Sequence, residues 1–99
     1  MNLAFSIFDS KLGKYFAPTF MPSRGIAIRQ FSDQAMDENT PIGKHPADYT
    51  LFEVGQFDDD KGVLINHEAN VSLGTALEYL EAAHSEGMAN VQELPKDIA

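Results

Sequence analysis

The sequence contains no cysteine and no tryptophan. Without cysteine there are no disulfides, no thiolate metal sites and no cysteine nucleophile, a composition suited to a reducing compartment. Cations are scarce, with seven Lys and Arg against fifteen Asp and Glu and a net charge of −8, and the isoelectric point is near 4.6. Overall charge therefore opposes unaided binding to a polyanion. The seven glycines and five prolines are too few for a low-complexity segment. No apolar run reaches the ~20 residues of a spanning helix. The start, Met1 to Phe8, has no basic flank and stops being apolar at Asp9, so a soluble intracellular protein without a targeting segment is expected.

The signatures of catalysis are missing as well. Glycines are not arranged as GxGxxG or a P-loop, and Ser72 lies outside a Gly-x-Ser-x-Gly elbow. His45, His67 and His84 are far apart and show no HExxH spacing. The Asp58-Asp59-Asp60 run has no distal ligand at calcium-loop spacing. A non-enzyme with no cofactor and no metal is expected.

The 99 residues are 43% hydrophobic, enough for one core that buries roughly 60 to 65% of the unfolded surface. A single globular domain is expected over residues 1–86, followed by a loosely ordered acidic tail, 87–99. Within the domain the chain repeats at an offset of 49. Phe8-Asp9 recurs as Phe57-Asp58, Gly13 as Gly62, and Ser23-Arg24-Gly25-Ile26-Ala27 as Ser72-Leu73-Gly74-Thr75-Ala76. The matches fall where turns, caps and a helix core demand them.

Each half reads as strand, turn, strand, helix. Leu3, Phe5 and Ile7 alternate with small or polar residues, as in a half-buried strand. Gly13 ends a turn, and Lys14 to Phe20 forms a return strand that Pro18 restricts to an edge or a bulge. Tyr49 to Phe57 pairs with Gly62 to His67 in the second half. Ser23 and Ser72 are the expected helix caps, with Ala27, Ile28, Phe31 and Ala35 on one apolar stripe and Leu73, Ala76, Leu77, Leu80 and Ala83 on the other. The first helix ends near Met36. The expected fold is α+β: a duplicated ββα-ββα unit with pseudo-repeats 1–36 and 50–85, a linker at 37–49, and a four-stranded antiparallel sheet with two helices on one face. A strand-swapped homodimer would produce the same pattern.

Charge divides the halves. Residues 1–49 are neutral overall, and the cations Lys11, Lys14, Arg24 and Arg29 are interleaved with Tyr15, Phe16 and Phe20. Cations that follow a phosphate backbone beside rings that stack on bases form a single-strand nucleic-acid platform. The plainer alternative is core rings and a solvated charged face. All of the excess negative charge lies in residues 50–99, where Asp58, Asp59 and Asp60 crowd one turn and Glu78 and Glu81 lie on the polar side of the second helix. That surface either serves solubility, docks a basic protein without DNA contact, or imitates the charge of nucleic acid towards one.

The run His45-Pro46-Ala47-Asp48-Tyr49-Thr50-Leu51-Phe52-Glu53-Val54-Gly55-Gln56-Phe57-Asp58 resembles the signature stretch of the small nonstructural protein of gokushoviruses, single-stranded DNA phages of the microvirus family. The first strand ending in Phe8-Asp9-Ser10-Lys11 and the helix Ala27-Ile28-Arg29-Gln30-Phe31 agree with it, and the resemblance covers roughly residues 3–83. It implies a non-capsid protein of the host cytoplasm, not bound to a membrane. Its implied role is in viral DNA replication and single-stranded genome synthesis, through single-stranded DNA or a viral replication protein. The family has no catalytic residues to carry over. In the residues themselves, Tyr49 and Phe52 supply cross-strand contacts and Gly55 marks a bulge or close approach.

Overall fold

The computed structural model describes residues 2–85. The first strand, β1 (Asn2–Asp9), turns back through two short segments, β2 (Lys14–Tyr15) and β3 (Thr19–Met21), and then enters helix α1 (Arg24–Ala35). A short helix α2 (Pro41–Lys44) and a 3-10 turn (Pro46–Asp48) lead into β4 (Tyr49–Asp58), which pairs with the long β5 (Val63–Thr75). Helix α3 follows over 76–85. The fold is α+β, built on an antiparallel sheet.

The expected four strands are five. β2 pairs with Phe8 and Asp9, and β3 pairs with Leu3 to Phe5, along the same edge of β1. They are one return strand interrupted between Phe16 and Pro18, because proline offers no donor to the ladder. The order across the sheet is then the β2/β3 edge, β1, β4 and β5. The expected linker at 37–49 carries α2, whose Ile42 is buried in the core. Thr40 builds that turn: its Oγ1 accepts from the Gly43 amide at 3.0 Å and donates to the Gln34 and Asp37 carbonyls. The expected tail, 87–99, lies outside the described residues.

The two hairpin turns are alike, as the repeat implied. Asp9 Oδ1 accepts from the Lys11 and Leu12 amides, and Asp58 Oδ1 from those of Asp60 and Lys61. Gly13 and Gly62 close the turns at φ of 66° and 67°, where a Cβ is strained. The helix starts differ. Ser23 caps α1, accepting from the Ile26 amide, but Ser72 still pairs with Phe52 inside β5. Thr75 takes the capping role, accepting from the Glu78 amide at 3.1 Å. Gly74, at φ 114°, cannot continue a helix, so α3 begins three residues later than the alignment predicts, and Leu73 remains in the strand.

The core is made by Phe5 and Leu51 of the central strands, Ala27, Phe31 and Ala35 of α1, Ile42, Tyr49 and Ala76. Leu80 and Tyr79 pack against it, and the Tyr79 ring meets Phe31 edge-on, centroids 5.9 Å apart. Three register shifts bend the sheet. One lies between Ala4 and Phe5 of β1, a second between Leu51 and Phe52 of β4, and in the third β5 residues 67–70 face Val54 alone. At Gly55 a Cβ would lie 2.4 Å from the Ile65 carbonyl oxygen. Gly55→Ala should therefore spread the β4–β5 pair and cost about 1–3 kcal/mol in urea melts. An unchanged midpoint would show that the strands separate there without loss.

Candidate nucleic-acid interface

Alternation assigns the two faces of the central strands. Phe5 and Leu51 belong to the core, so Ala4, Ser6 and Phe8 of β1, and Phe52 and Val54 of β4, face away from it. Tyr15 sits opposite Phe8 and joins this outer face. Three rings meet there: Phe8 to Tyr15 at 4.8 Å, Tyr15 to Phe52 at 5.5 Å and Phe8 to Phe52 at 6.4 Å between centroids. Towards the other end of the sheet, Phe20 lies opposite Ala4, and its ring stands 5.9 Å from that of Phe57. Tyr15 is 47% and Phe20 42% exposed. Aromatic groups exposed in this way are candidates for a recognition surface.

The sequence-predicted cations do not form one cluster. Lys11 lies in the β1–β2 turn at the ring-group end of the sheet, whereas Lys14 pairs with Asp9, so alternation turns its side chain to the face opposite the Tyr15 ring. Arg24 opens α1, and its Nε donates to Glu53 Oε1 at 2.9 Å. Arg29 is exposed on α1, whose buried residues pack onto the core. It therefore lies on the opposite side of the sheet from the Tyr15 ring. Among the acidic residues, the carboxylate oxygens of Asp58, Asp59 and Asp60 lie within 4.8 Å of one another at the tip of the second hairpin. Glu78 and Glu81 are exposed on α3. The two acidic groups belong to separate elements.

Sequence reasoning missed Glu53. Its register places it on the core side of β4, where it is 5% exposed. Arg24 binds one carboxylate oxygen, and His67 Nε2 lies 2.7 Å from the other. A carboxylate only accepts, so the imidazole donates from Nε2. Burial by itself pushes the Glu53 carboxyl up, but the hydrogen bonds from Arg24 and His67, with their charges, outweigh it and hold the group below its ordinary 4.5. The network ties the start of α1 to the irregular segment of β5. The signal available in the sequence was a charged residue on the inward parity of Tyr49, Leu51 and Gly55. Burial, then the charges of Asp9 and Asp48, raise the Tyr49 hydroxyl above its usual 10.0.

Two of the hollows among the described residues border the interrupted edge strand. One, of about 260 Å³, lies between α1 and the interrupted edge strand, with Phe16, Met21, Gln30 and Gln34 among its walls. The other, of about 420 Å³, lies between the Tyr15–Pro18 segment and β5. No helix among the described residues is long and apolar enough to cross a membrane.

Comparison with curated proteins and with solved structures returned no match. The family model described as Phage ORF5 protein matches residues 2–79, a span that runs from β1 into α3 and includes the aromatic strip, the Glu53 network and both hairpins. The chain belongs to the Phage ORF5 protein family.

Proposed function

We propose that this phage protein is a non-enzymatic accessory factor of viral DNA replication that binds single-stranded DNA on the outer face of its sheet. In the same reading it is of gokushovirus type, acts in the host cytoplasm, and carries two hairpins descended from one ββα unit. The observation that carries the DNA reading is the Phe8–Tyr15–Phe52 ring group, exposed at Tyr15, with Lys11 in the adjoining turn. Unpaired bases stack on such rings, whereas a duplex hides its base faces. The ring group lies at the end of the sheet opposite the acidic hairpin tip, and the ~8 Å Debye length at physiological salt attenuates what repulsion remains.

Tyr15→Ala should weaken binding of a labelled single-stranded oligonucleotide by about 5- to 100-fold, the equivalent of ~1–3 kcal/mol per stacked base. Lys11→Glu should reduce both the affinity and its salt slope. Arg29→Glu should change neither, because Arg29 stands on the other side of the sheet. Fluorescence anisotropy at two salt concentrations measures all three. If wild type shows no binding at low salt, or Tyr15→Ala binds as tightly as wild type, the platform reading is wrong.

A second reading rests on the converging carboxylates of Asp58, Asp59 and Asp60. They would dock a basic host or viral protein, with Glu78 and Glu81 extending the acidic surface. Neutralising the three aspartates would then abolish the partner's binding and leave oligonucleotide affinity intact.

A further inference from the structure

The hollow of about 420 Å³ is framed by two irregularities of the sheet. On one side is the break in the edge strand, where Ser6 Oγ donates to the Phe16 carbonyl at 2.7 Å and pins the interrupted segment in place. On the other is the β5 bulge, whose residues 67–70 leave the regular ladder opposite Val54. Tyr15 and Phe16 line the first side, Val54 is part of the lining, and Asn66, His67 and Asn70 line the second. His67 is held by Glu53. The carboxamides of Asn66 and Asn70 make no side-chain hydrogen bond to another described residue, so their donors and acceptors are available. The volume falls within the range of small-ligand sites, roughly 300–1,000 Å³.

We propose that this hollow is a reading pocket for one unpaired nucleobase of a bound single strand, a proposal that rests on the DNA reading above. Its chemistry suits a base better than an apolar chain or an ion. Aromatic and proline surface on one side supplies a stacking wall, and two carboxamides on the other match the adjacent donor and acceptor that every base presents along its Watson–Crick edge. Among the described residues no carboxylate lines the hollow, although Glu68 stands on the same bulge. Because Tyr15 belongs to both the pocket and the ring group, a strand stacked on the rings delivers its next base to the amides. The rings provide sequence-tolerant affinity, and Asn66 and Asn70 provide discrimination between bases. A bulge that looks like a defect of the ladder is thus the element that turns a plain stacking surface into a selective one.

The test compares homopolymeric single strands of each base with an abasic strand, for wild type and for the Asn66→Ala, Asn70→Ala double variant. Wild type should bind its best and worst bases with affinities that differ by about fivefold or more. The double variant should compress that difference to within about twofold while retaining the affinity owed to Tyr15. As a direct readout, titrating wild type with free nucleosides should shift the side-chain amide signals of Asn66 and Asn70 in the nuclear magnetic resonance spectrum. Equal affinity of wild type for all bases, or unchanged discrimination in the double variant, overturns the pocket and leaves the stacking platform standing. Absence of binding to any strand overturns both, and an apolar peptide that shifts those amides when nucleosides do not would reassign the hollow to a protein partner.

Discussion

Phe31→Ala is expected to lower the free energy of unfolding by about 3–5 kcal/mol. Phe31 is 2% exposed and stands where α1, β1, β4 and α3 converge, with Phe5, Leu51 and Ala27 in its cluster and the Tyr79 ring against it. The neighbouring backbone cannot collapse into the space, because a sheet and two helices fix its walls. A domain of this size is stable by only about 5–15 kcal/mol, so much of its margin would go. Urea melts at constant m-value measure the loss. A change below about 1 kcal/mol would show that α1 does not anchor the core through this ring.

The second large effect concerns Glu53. Replacing both Arg24 and His67 by alanine leaves its carboxylate buried without either partner. Removing the partners of a fully buried charge costs about 3–5 kcal/mol. Arg24 is half exposed, with 52% of its side chain accessible, so solvent already screens part of its pairing, and about 2–3 kcal/mol at neutral pH is expected here. The pH dependence should reverse in sign. In wild type the folded-state pKa of Glu53 is depressed, so its contribution is complete above the ordinary 4.5 and is lost as pH falls through the folded value. In the double variant burial acts alone and raises the folded-state pKa. The penalty is then greatest at neutral pH and fades as pH falls towards 4.5. Between about pH 7 and pH 5 the variant should therefore gain stability relative to wild type. Parallel melts in which the two proteins keep a constant difference across that interval would show that these partners do not hold the carboxylate.

The Glu53 network also shows where local pattern stops being informative. The sequence pattern marked Tyr49 to Phe57 as a strand, and the structure has β4 over Tyr49–Asp58 with Tyr49, Leu51 and Glu53 buried. Nothing near Glu53 in the chain names its partners, because Arg24 is 29 positions before it and His67 is 14 after it. The same limit applies to the proposed interface. Lys14 alternates onto the face opposite its neighbour Tyr15, α1 carries Arg29 to that side as well, and Arg24 is taken up by Glu53. Phe52 lies far along the chain from Phe8 and Tyr15, and the three rings meet because antiparallel pairing aligns their parity.

Period and turn chemistry by themselves determined the α+β class, the two hairpins with their Asp-x-x-x-Gly turns, the helix capped at Ser23 and the close approach at Gly55. These are local matters, decided by which φ each residue tolerates, which side chain can cap an amide and which parity is apolar. Only the tertiary structure decided that the return strand divides at Phe16–Pro18, that Ser72 stays in β5 while Thr75 caps α3, and that four residues bulge opposite Val54. Each of those outcomes depends on register against a strand elsewhere in the chain. Register is set by the fit of whole faces, which no single segment encodes.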